Sequence, residues 1–488
     1  MKGNNYKITI YDEVNCKSMN PATTKLLRTL LLYEKQGYNP FTKRPTMSKK
    51  YLIDRQGNFF TGYVPVILDY ADRANIKIDI KDEREDLPGI KINPVDNLQG
   101  VPLRDYQIRV VNNALNAERG VLLALPRSGK TFMAAAIYKS ISPLKGLFLV
   151  HTKDLLHQAH EEFTKVGINT SKFFGEDKDL DGDVVVATKQ SFSKVVVDYS
   201  YYFNVVIVDE CHHVHDLSDA YGKILRLLNA KYRFGLTGTL PANPGAKLVL
   251  FSLLGPVFDE ISIKEGQEKG IVVKPKVRII ETPKNFSITK AGYDKAYSKG
   301  VVHDRAFNRQ VMLTAREYIN DDQTVLILVK RVRHGFNIKS MFDRFTDLDV
   351  PFLCGGLDAE TEREKKVLEL NGRDPVRLAE ISGLVSLIKE MSKNRQTYKQ
   401  GLLDGVYKCC IVTTIWDEGV NIPNLNVVIN AGGGKGEEKT IQKATRPLTK
   451  YKGKKQAIIV DYFNNNNTHL ISHFGSRISI YCKFGWFD

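Results

Sequence analysis

ALPRSGKT, Ala124–Thr131, decides how the rest of the chain is read. It opens on Ala, runs through four residues, and closes on Gly-Lys-Thr. An apolar stretch, Val121–Leu125, precedes it and predicts a buried strand. A helix-favouring stretch, Thr131–Ser140, follows it. A loop placed between strand and helix can turn successive backbone amides toward one anion, with the helix N-terminus behind them. Gly129 lets the backbone come close. Lys130 would reach the outer phosphates of a nucleotide, and the Thr131 hydroxyl would ligate magnesium. Pro126, Arg127 and Ser128 complete the loop.

Further strands are predicted at Leu147–Val150, Val184–Ala187, Val205–Val208 and Phe234–Leu236, with helices between them. In the helix Asp154–Val166, the residues Leu155, Leu156, Ala159 and Phe163 share one face. Strands alternating with helices predict a parallel sheet covered on both sides. A second series begins near residue 277. Its strands are Val277–Ile280, Val325–Val329, Pro351–Leu353, Cys410–Thr413, Val427–Ile429 and Ala457–Val460. Residues 359–394 interrupt it as a charged helical insertion.

VVIVDECHH, Val205–His213, carries two carboxylates to the C-terminal end of a buried strand. In an open α/β sheet the ligand crevice lies at that end. Asp209 can hold magnesium through water. Glu210 can orient and deprotonate the water that attacks a γ-phosphate. Cys211, His212, His213 and His215 do not make a zinc site, because neighbours on one strand end point in different directions and no second ligand pair matches them.

The chain has 488 residues, enough for about three domains at roughly 150 residues each. Its net charge is +16, with 42% hydrophobic and 26% charged residues. That composition excludes a disordered chain and a small stapled scaffold, and the surplus favours a polyanionic partner. Six cysteines form no CxxC pair, which points to a reducing compartment. The N-terminus has no apolar signal core, so the expected location is the cytoplasm (the host cytoplasm if phage-encoded), with no membrane partner. The charge is uneven. Residues 1–55 hold eleven Lys/Arg against four Asp/Glu, with Tyr6, Tyr11, Tyr33, Tyr38, Phe41 and Tyr51 among them; residues 56–97 hold five against eight. A Pro/Gly/Asn-rich connector, Leu87–Pro102, marks a boundary. The expected domains are therefore 1–97, a small DNA-binding module, then 98–275 and 276–488.

Taken together, the phosphate loop and the DECH box resemble helicase superfamily 2. Other segments resemble its motifs in the same order. LRDYQ, Leu103–Gln107, resembles the adenine-recognising segment, and LVHTKDLLHQ, Leu149–Gln158, resembles motif Ia. VVVATKQSF, Val184–Phe192, resembles a strand that contacts nucleic-acid backbone, and GLTGT, Gly235–Thr239, resembles motif III. VLILVKRVRHG, Val325–Gly335, IVTTIWDEGVNIP, Ile411–Pro423, and IQKATRP, Ile441–Pro447, resemble motifs IV, V and VI. The likeness covers roughly residues 100–465. Within the superfamily it is similar to the phage UvsW type of branch-migration helicase, itself related to XPB-type double-strand translocases. Residues Phe59–Glu85 resemble the small N-terminal domain of that type.

This resemblance implies two tandem RecA-like parallel-sheet α/β motor domains behind a small α+β N-terminal domain. It implies ATP and magnesium as cofactors, and DNA, forked or branched, as partner, in replication, recombination or repair. ATP would be bound by Arg104, Tyr106, Gln107, the loop through Thr131, Gly419 and Asn421. Arg446 would stabilise charge on the γ-phosphate. His212, Gln442, Thr237 and Thr239 would couple hydrolysis to movement. Thr152, Lys153, Thr188, Gln190, Lys330, Arg331, Thr413 and Thr414 would track DNA phosphates on a face opposite the ATP site. Two departures stand out. In motif VI, Lys443, Thr445 and Thr449 replace the usual Arg, Gly and Arg, with Lys450 nearby but lacking the planar guanidinium fork. In motif V, Asn421 replaces an Asp. An RNA helicase, the motor of a restriction or repair complex, and a nucleotide-gated binding protein with weak hydrolysis remain open from sequence.

Overall fold

The computed structural model describes residues 6–39, 44–85, 87, 90, 92–141, 144–354, 394–413, 422, 424–435, 454 and 457–487, with scattered positions between 362 and 390. It divides into two compact units, Met1–Ser262 and Ile263–Asp488.

The first unit opens with β1 (Tyr6–Ile10), β2 (Asn15–Ser18), α1 (Pro21–Leu30), the hairpin β3 (Leu32–Asn39) and β4 (Arg44–Tyr51), β5 (Asn58–Phe60), α2 (Val64–Arg73) and β6 (Ile78–Asp82). Four of these strands form a mixed sheet in the order β5-β2-β1-β6. Asn20 caps α1 by accepting from the Thr23 amide, and Pro21 follows in the first turn, where its missing N–H costs nothing.

After the short pair β7 (Asn97–Leu98) and β8 (Val101–Pro102) come α3 (Asp105–Ala117), β9 (Arg119–Ala124), α4 (Lys130–Ser140), β10 (Gly146–Val150), α5 (Lys153–Lys165), β11 (Thr170–Phe174), β12 (Asp177–Lys178), β13 (Val184–Thr188), α6 (Lys189–Phe192), β14 (Val205–Val208), α7 (Ala220–Leu227), β15 (Tyr232–Thr237), α8 (Pro244–Leu254) and β16 (Val257–Ile261). Their sheet runs β12-β11-β13-β10-β14-β15-β9-β16. All its pairs are parallel except β11 with β12. Strands β10, β13, β14 and β15 are buried along their whole length, as a sheet covered on both faces requires. The predicted strands are all present. β11 and β16 go beyond the prediction: TSKFF alternates and VFDEI is broken by two carboxylates, so neither reads as a continuous apolar run.

The N-terminal module and the large sheet share one hydrophobic core. Ile8, Leu27, Leu31 and Ile67 are packed in the same cluster as Val249, Leu250 and Leu253 of α8. Gly62 sits on this seam, and a Cβ there would lie 2.5 Å from the Ser252 carbonyl oxygen. A charged latch adds to the apolar contact. Glu13 accepts from Arg119 at the start of β9 and from Arg84 at 3.0 Å, and its own amide donates to Asn229 Oδ1 at 2.9 Å.

The second unit contains α9 (Ile263–Glu268), β17 (Pro275–Glu281), α10 (Tyr293–Tyr297), α11 (Arg305–Asn320), β18 (Val325–Leu328), α12 (Val332–Phe345), β19 (Phe352–Leu353), α13 (Arg395–Leu403), β20 (Cys409–Val412), β21 (Val427–Asn430), β22 (Ala457–Phe463) and α14 (Thr468–Lys483). Its sheet is parallel throughout, in the order β17-β22-β21-β18-β20-β19. Both large sheets are thus RecA-like α/β layers behind a small α+β module. Most of the 359–394 insertion lies outside the described residues. Among the described residues no helix is long and apolar enough to cross a membrane.

Candidate active site

Parallel strands bring every loop that follows them to one edge of the sheet. In the first unit, that edge collects the phosphate loop after β9, the acidic pair after β14 and the Thr237–Thr239 segment at the end of β15. These strands are neighbours in the order β14-β15-β9.

The loop is held from below by α3. Tyr106 is buried, and its hydroxyl donates to the Ser128 carbonyl at 3.0 Å. Gln107 Nε2 donates to the same oxygen at 3.2 Å, while Gln107 Oε1 accepts from the Arg104 amide at 3.0 Å. The Arg104 guanidinium donates to the Tyr106 hydroxyl at 3.4 Å. LRDYQ therefore braces the loop directly. Arg127 and Gly129 take positive φ, 75° and 82°. A side chain at Gly129 would also put its Cβ 2.7 Å from Gln107 Nε2. Lys130 and Thr131 open α4 and are half-buried, beside the half-buried Pro126.

Lys130 Nζ lies 3.7 Å from Glu210 Oε1, which ties the loop to the acidic pair two strands away. Glu210 adopts φ 45°, a conformation costly for a side chain with a Cβ and found where a site demands it. Its second oxygen lies 3.3 Å from His212 Nδ1. That nitrogen is also 3.0 Å from Thr237 Oγ1. The Thr237 hydroxyl donates to the Thr239 carbonyl at 2.7 Å. A continuous polar path thus runs from Lys130 through Glu210, His212 and Thr237 to Thr239. Burial, and next the neighbouring Glu210 carboxylate, push the Asp209 carboxyl above the usual carboxylate range. Burial likewise pushes the Cys211 thiol far up, which makes it inert.

These residues fit a nucleotide with a divalent cation. The Ser128 and Thr239 hydroxyl oxygens are buried with no hydrogen-bond partner among the described residues. Two adjacent carboxylates that resist joint ionisation are relieved by a cation.

The residues expected to track nucleic acid occupy neighbouring strand ends. Thr152 caps α5 after β10, accepting from the Leu155 amide at 3.3 Å, and Lys153 beside it is exposed. Thr188 ends β13 and donates to Ser191 Oγ at 3.0 Å. Gln190 Nε2 reaches the His151 carbonyl at 3.5 Å, joining the two loops. β10 pairs with both β13 and β14. This set lies on the same edge as the phosphate loop, next to the acidic pair after β14, with β14 and β15 between it and the loop. The expectation from sequence is a face opposite the ATP site. The correction follows from the topology: all these residues follow parallel strands of one sheet.

In the second unit, Lys330 and Arg331 follow β18, and Thr413 follows the adjacent β20, its amide donating to the Leu353 carbonyl at 3.0 Å. Thr414, Gly419, Asn421, Gln442, Arg446 and Lys450 lie outside the described residues.

The structure gives shape to the basic patch expected in residues 1–55 and adds a buried ion pair that is not among the expected site residues. On the N-terminal module a groove of about 790 Å³ is lined by Lys17, Lys25, Arg28 and Arg55, with the hydroxyls of Thr24 and Thr29 and, among the described residues, no carboxylate. Arg28 lies 4.3 Å from the centre of the Tyr51 ring. In the second unit Asp461, fully buried on β22, accepts from Arg477 Nε at 2.6 Å and Nη2 at 2.9 Å, and from the Tyr481 hydroxyl at 2.9 Å. Arg477 Nη1 donates to the Gly434 carbonyl at 2.7 Å. A carboxylate inside the apolar run AIIVDYF is the signal that marked Asp209, and it was available here too.

Comparison with known proteins agrees with this geometry. A family profile described as "Type III restriction enzyme, res subunit" matches residues 100–242, which contain the whole path from Lys130 to Thr239. The DNA 3'-5' translocase XPB2 of Sulfurisphaera tokodaii is 25% identical over 375 residues, covering 74% of this chain and 81% of that protein. The ATP-dependent DNA helicase uvsW of Enterobacteria phage T4 is 24% identical over 382 residues, covering 74% of this chain and 68% of that protein. The solved structure of S. cerevisiae Dbp5 bound to RNA and ADP BeF3 matches with a TM-score of 0.52 at 15% identity, covering 80% of this chain and 90% of that one, a likeness of fold.

Proposed function

We propose that this chain, which belongs to helicase superfamily 2 and is related to the UvsW and XPB2 proteins, is an ATP-driven motor that remodels branched DNA at forks and junctions. The observation that carries the reading is the path Lys130–Glu210–His212–Thr237–Thr239. It links the phosphate loop to the acidic pair after β14, and β14 neighbours β10, the strand that leads to Thr152.

The loop amides, Lys130 and the groups bracing them from α3 would seat the nucleotide. Thr131 and Asp209 would hold magnesium, whose charge offsets that of the phosphates when bound. Glu210 would take the proton of the attacking water, and His212 would sense its charge. Thr237 and Thr239 would pass that change along the edge. Arg446 would supply the second cation, typically worth about 10³–10⁵ in rate. Thr152, Lys153, Thr188 and Gln190, together with Lys330, Arg331 and Thr413 of the second unit, would hold phosphates without reading sequence. The basic groove of residues 1–97 supports a second contact, suited to a junction arm.

The test is steady-state ATP hydrolysis by the full chain with single-stranded, duplex, forked and four-way DNA and with RNA, over a salt series. The expected result is the greatest stimulation by forked or four-way DNA, falling steeply with salt. Greater stimulation by RNA would overturn the DNA assignment. Equal stimulation by linear duplex and branched DNA would overturn the branch specificity. It would instead favour a duplex-tracking restriction motor, the second reading that the res-subunit profile supports.

A further inference from the structure

The second unit gathers rings and cations where α10, the end of β18 and α14 meet. Tyr293, half-buried at the start of α10, lies 4.6 Å from the His473 ring and 6.5 Å from the His469 ring, centre to centre. The two histidines are four residues apart on α14 and so share a face. His469 is exposed and His473 half-exposed. Lys330 Nζ stands 5.6 Å from the centre of the Tyr293 ring and 5.4 Å from that of Tyr297, and 3.5 Å from the Tyr293 hydroxyl. Arg331 stands 5.0 Å from the centre of the Tyr297 ring. Burial lowers the His473 pKa, and so do Lys435, Arg477 and Lys330 around it. At neutral pH His473 is therefore an uncharged ring in a cationic setting.

A surface that offers rings beside cations suits a ligand with a flat ring and a negative charge. That is the chemistry of a nucleotide. The small cavity beneath, about 40 Å³ and lined by Gly432–Gly434, His473 and Arg477, has room for a water but none for a base. The base would have to lie on the rings. An intact duplex keeps its bases stacked inside, so only an unpaired nucleotide can offer its face.

We propose that Tyr293, His469 and His473, with Lys330 and Lys435, form a stacking seat for an unpaired nucleotide of a DNA strand. The inference rests on the reading of the chain as a DNA motor and adds to it a base contact, where the strand-end residues contact only backbone. The seat would favour a substrate with a single-stranded gap or splayed arm at the branch.

The test is equilibrium binding of the full chain, by fluorescence anisotropy, to three probes: a duplex with a single-stranded arm, the same duplex with abasic sites in the arm, and a blunt duplex. Wild type should bind the natural arm more tightly than the abasic arm. Tyr293→Ala should lose roughly five- to a hundredfold on the natural arm and then show no preference for it over the abasic arm. Tyr293→Phe keeps the ring and should bind as wild type, which separates stacking from the Lys330 hydrogen bond. Equal wild-type binding to the natural and abasic arms overturns the proposal. So does an equal loss on all three probes in Tyr293→Ala. If free mononucleotide displaced a ring-dependent signal while the two arms bound alike, the seat would belong to free nucleotide and the strand assignment would fall. Failure of the motor reading is seen separately, as wild-type hydrolysis that no DNA stimulates.

Discussion

Both large sheets end in charged groups carried out of apolar strands, yet the two edges are built differently. On the first edge Lys130, Glu210 and His212 are half-exposed or lie beside half-exposed partners, at 3.7 Å and 3.3 Å. On the second, Asp461 and Arg477 are buried and joined at 2.6 Å and 2.9 Å, with Tyr481 and the Gly434 carbonyl completing their hydrogen bonds. Groups that solvent reaches are also within reach of a ligand. Buried groups in short, saturated contacts are not. The first edge is thus arranged for an incoming ligand and the second for fixing a glycine turn. The same residue types stand at a solvent-accessible edge in one sheet and in a closed hydrogen-bonded cluster in the other.

The comparison breaks most sharply if a substitution on the first edge costs stability or one on the second spares it. Glu210→Gln is expected to reduce ATP turnover roughly 10²–10⁴-fold, the range for a lost general base. Its unfolding free energy, from denaturant titration, should change by less than about 0.5 kcal/mol, because a half-exposed carboxylate loses little. Turnover like that of wild type would remove Glu210 as the base. Arg477→Met should do the reverse. It leaves Asp461 charged, buried and short of two donors, which costs about 3–5 kcal/mol. Chemical denaturation measures it, and an unchanged midpoint would show that the pair is not the clamp described.

Much of this was legible in the chain. Strand, loop and helix around ALPRSGKT are as read, since buried parallel strands are continuous apolar runs and the loop has a fixed residue pattern. The acidic pair was legible because two carboxylates interrupt VVIV. What sequence could not supply was adjacency. Nothing in Thr152 or Thr188 says that β10 neighbours β14, the strand leading to Asp209, or that β13 lies next beyond β10 on the same edge, and so their face differs from the one expected. Nor does it show that Arg233, inside KYRFGLTG, is fully buried with its guanidinium donating to the carbonyls of Leu225, Leu228 and Leu253. Those acceptors end α7 and α8, where a cation is favoured. The shared core under residues 1–97 was equally hidden. A composition shift marks a boundary in sequence even where side chains cross it in space.

His212 tests the path itself. His212→Ala removes the group between Glu210 and Thr237 while leaving the loop, Lys130 and both carboxylates in place. A hydrogen bond to a charged group is worth about 1.5–3 kcal/mol, so DNA-stimulated turnover should fall about tenfold or more. Basal turnover should fall less. An equal fall in both would make His212 part of the chemistry instead of the link.

The smallest effect is expected below the loop. Tyr106→Phe deletes only the hydroxyl that donates to Ser128, and the ring stays packed at 2% exposure. Gln107 still donates to the same carbonyl at 3.2 Å, so the oxygen is not orphaned. A net neutral hydrogen bond is worth about 0.5–1.5 kcal/mol, which predicts a two- to tenfold weaker nucleotide affinity with kcat little changed. Gln107→Ala should cost more, because it also frees the Arg104 amide at the start of α3. If the order were reversed, with Tyr106→Phe the more damaging, the Arg104–Tyr106 contact would be the true brace, and the loop would be positioned by that cation and not by the capped helix end.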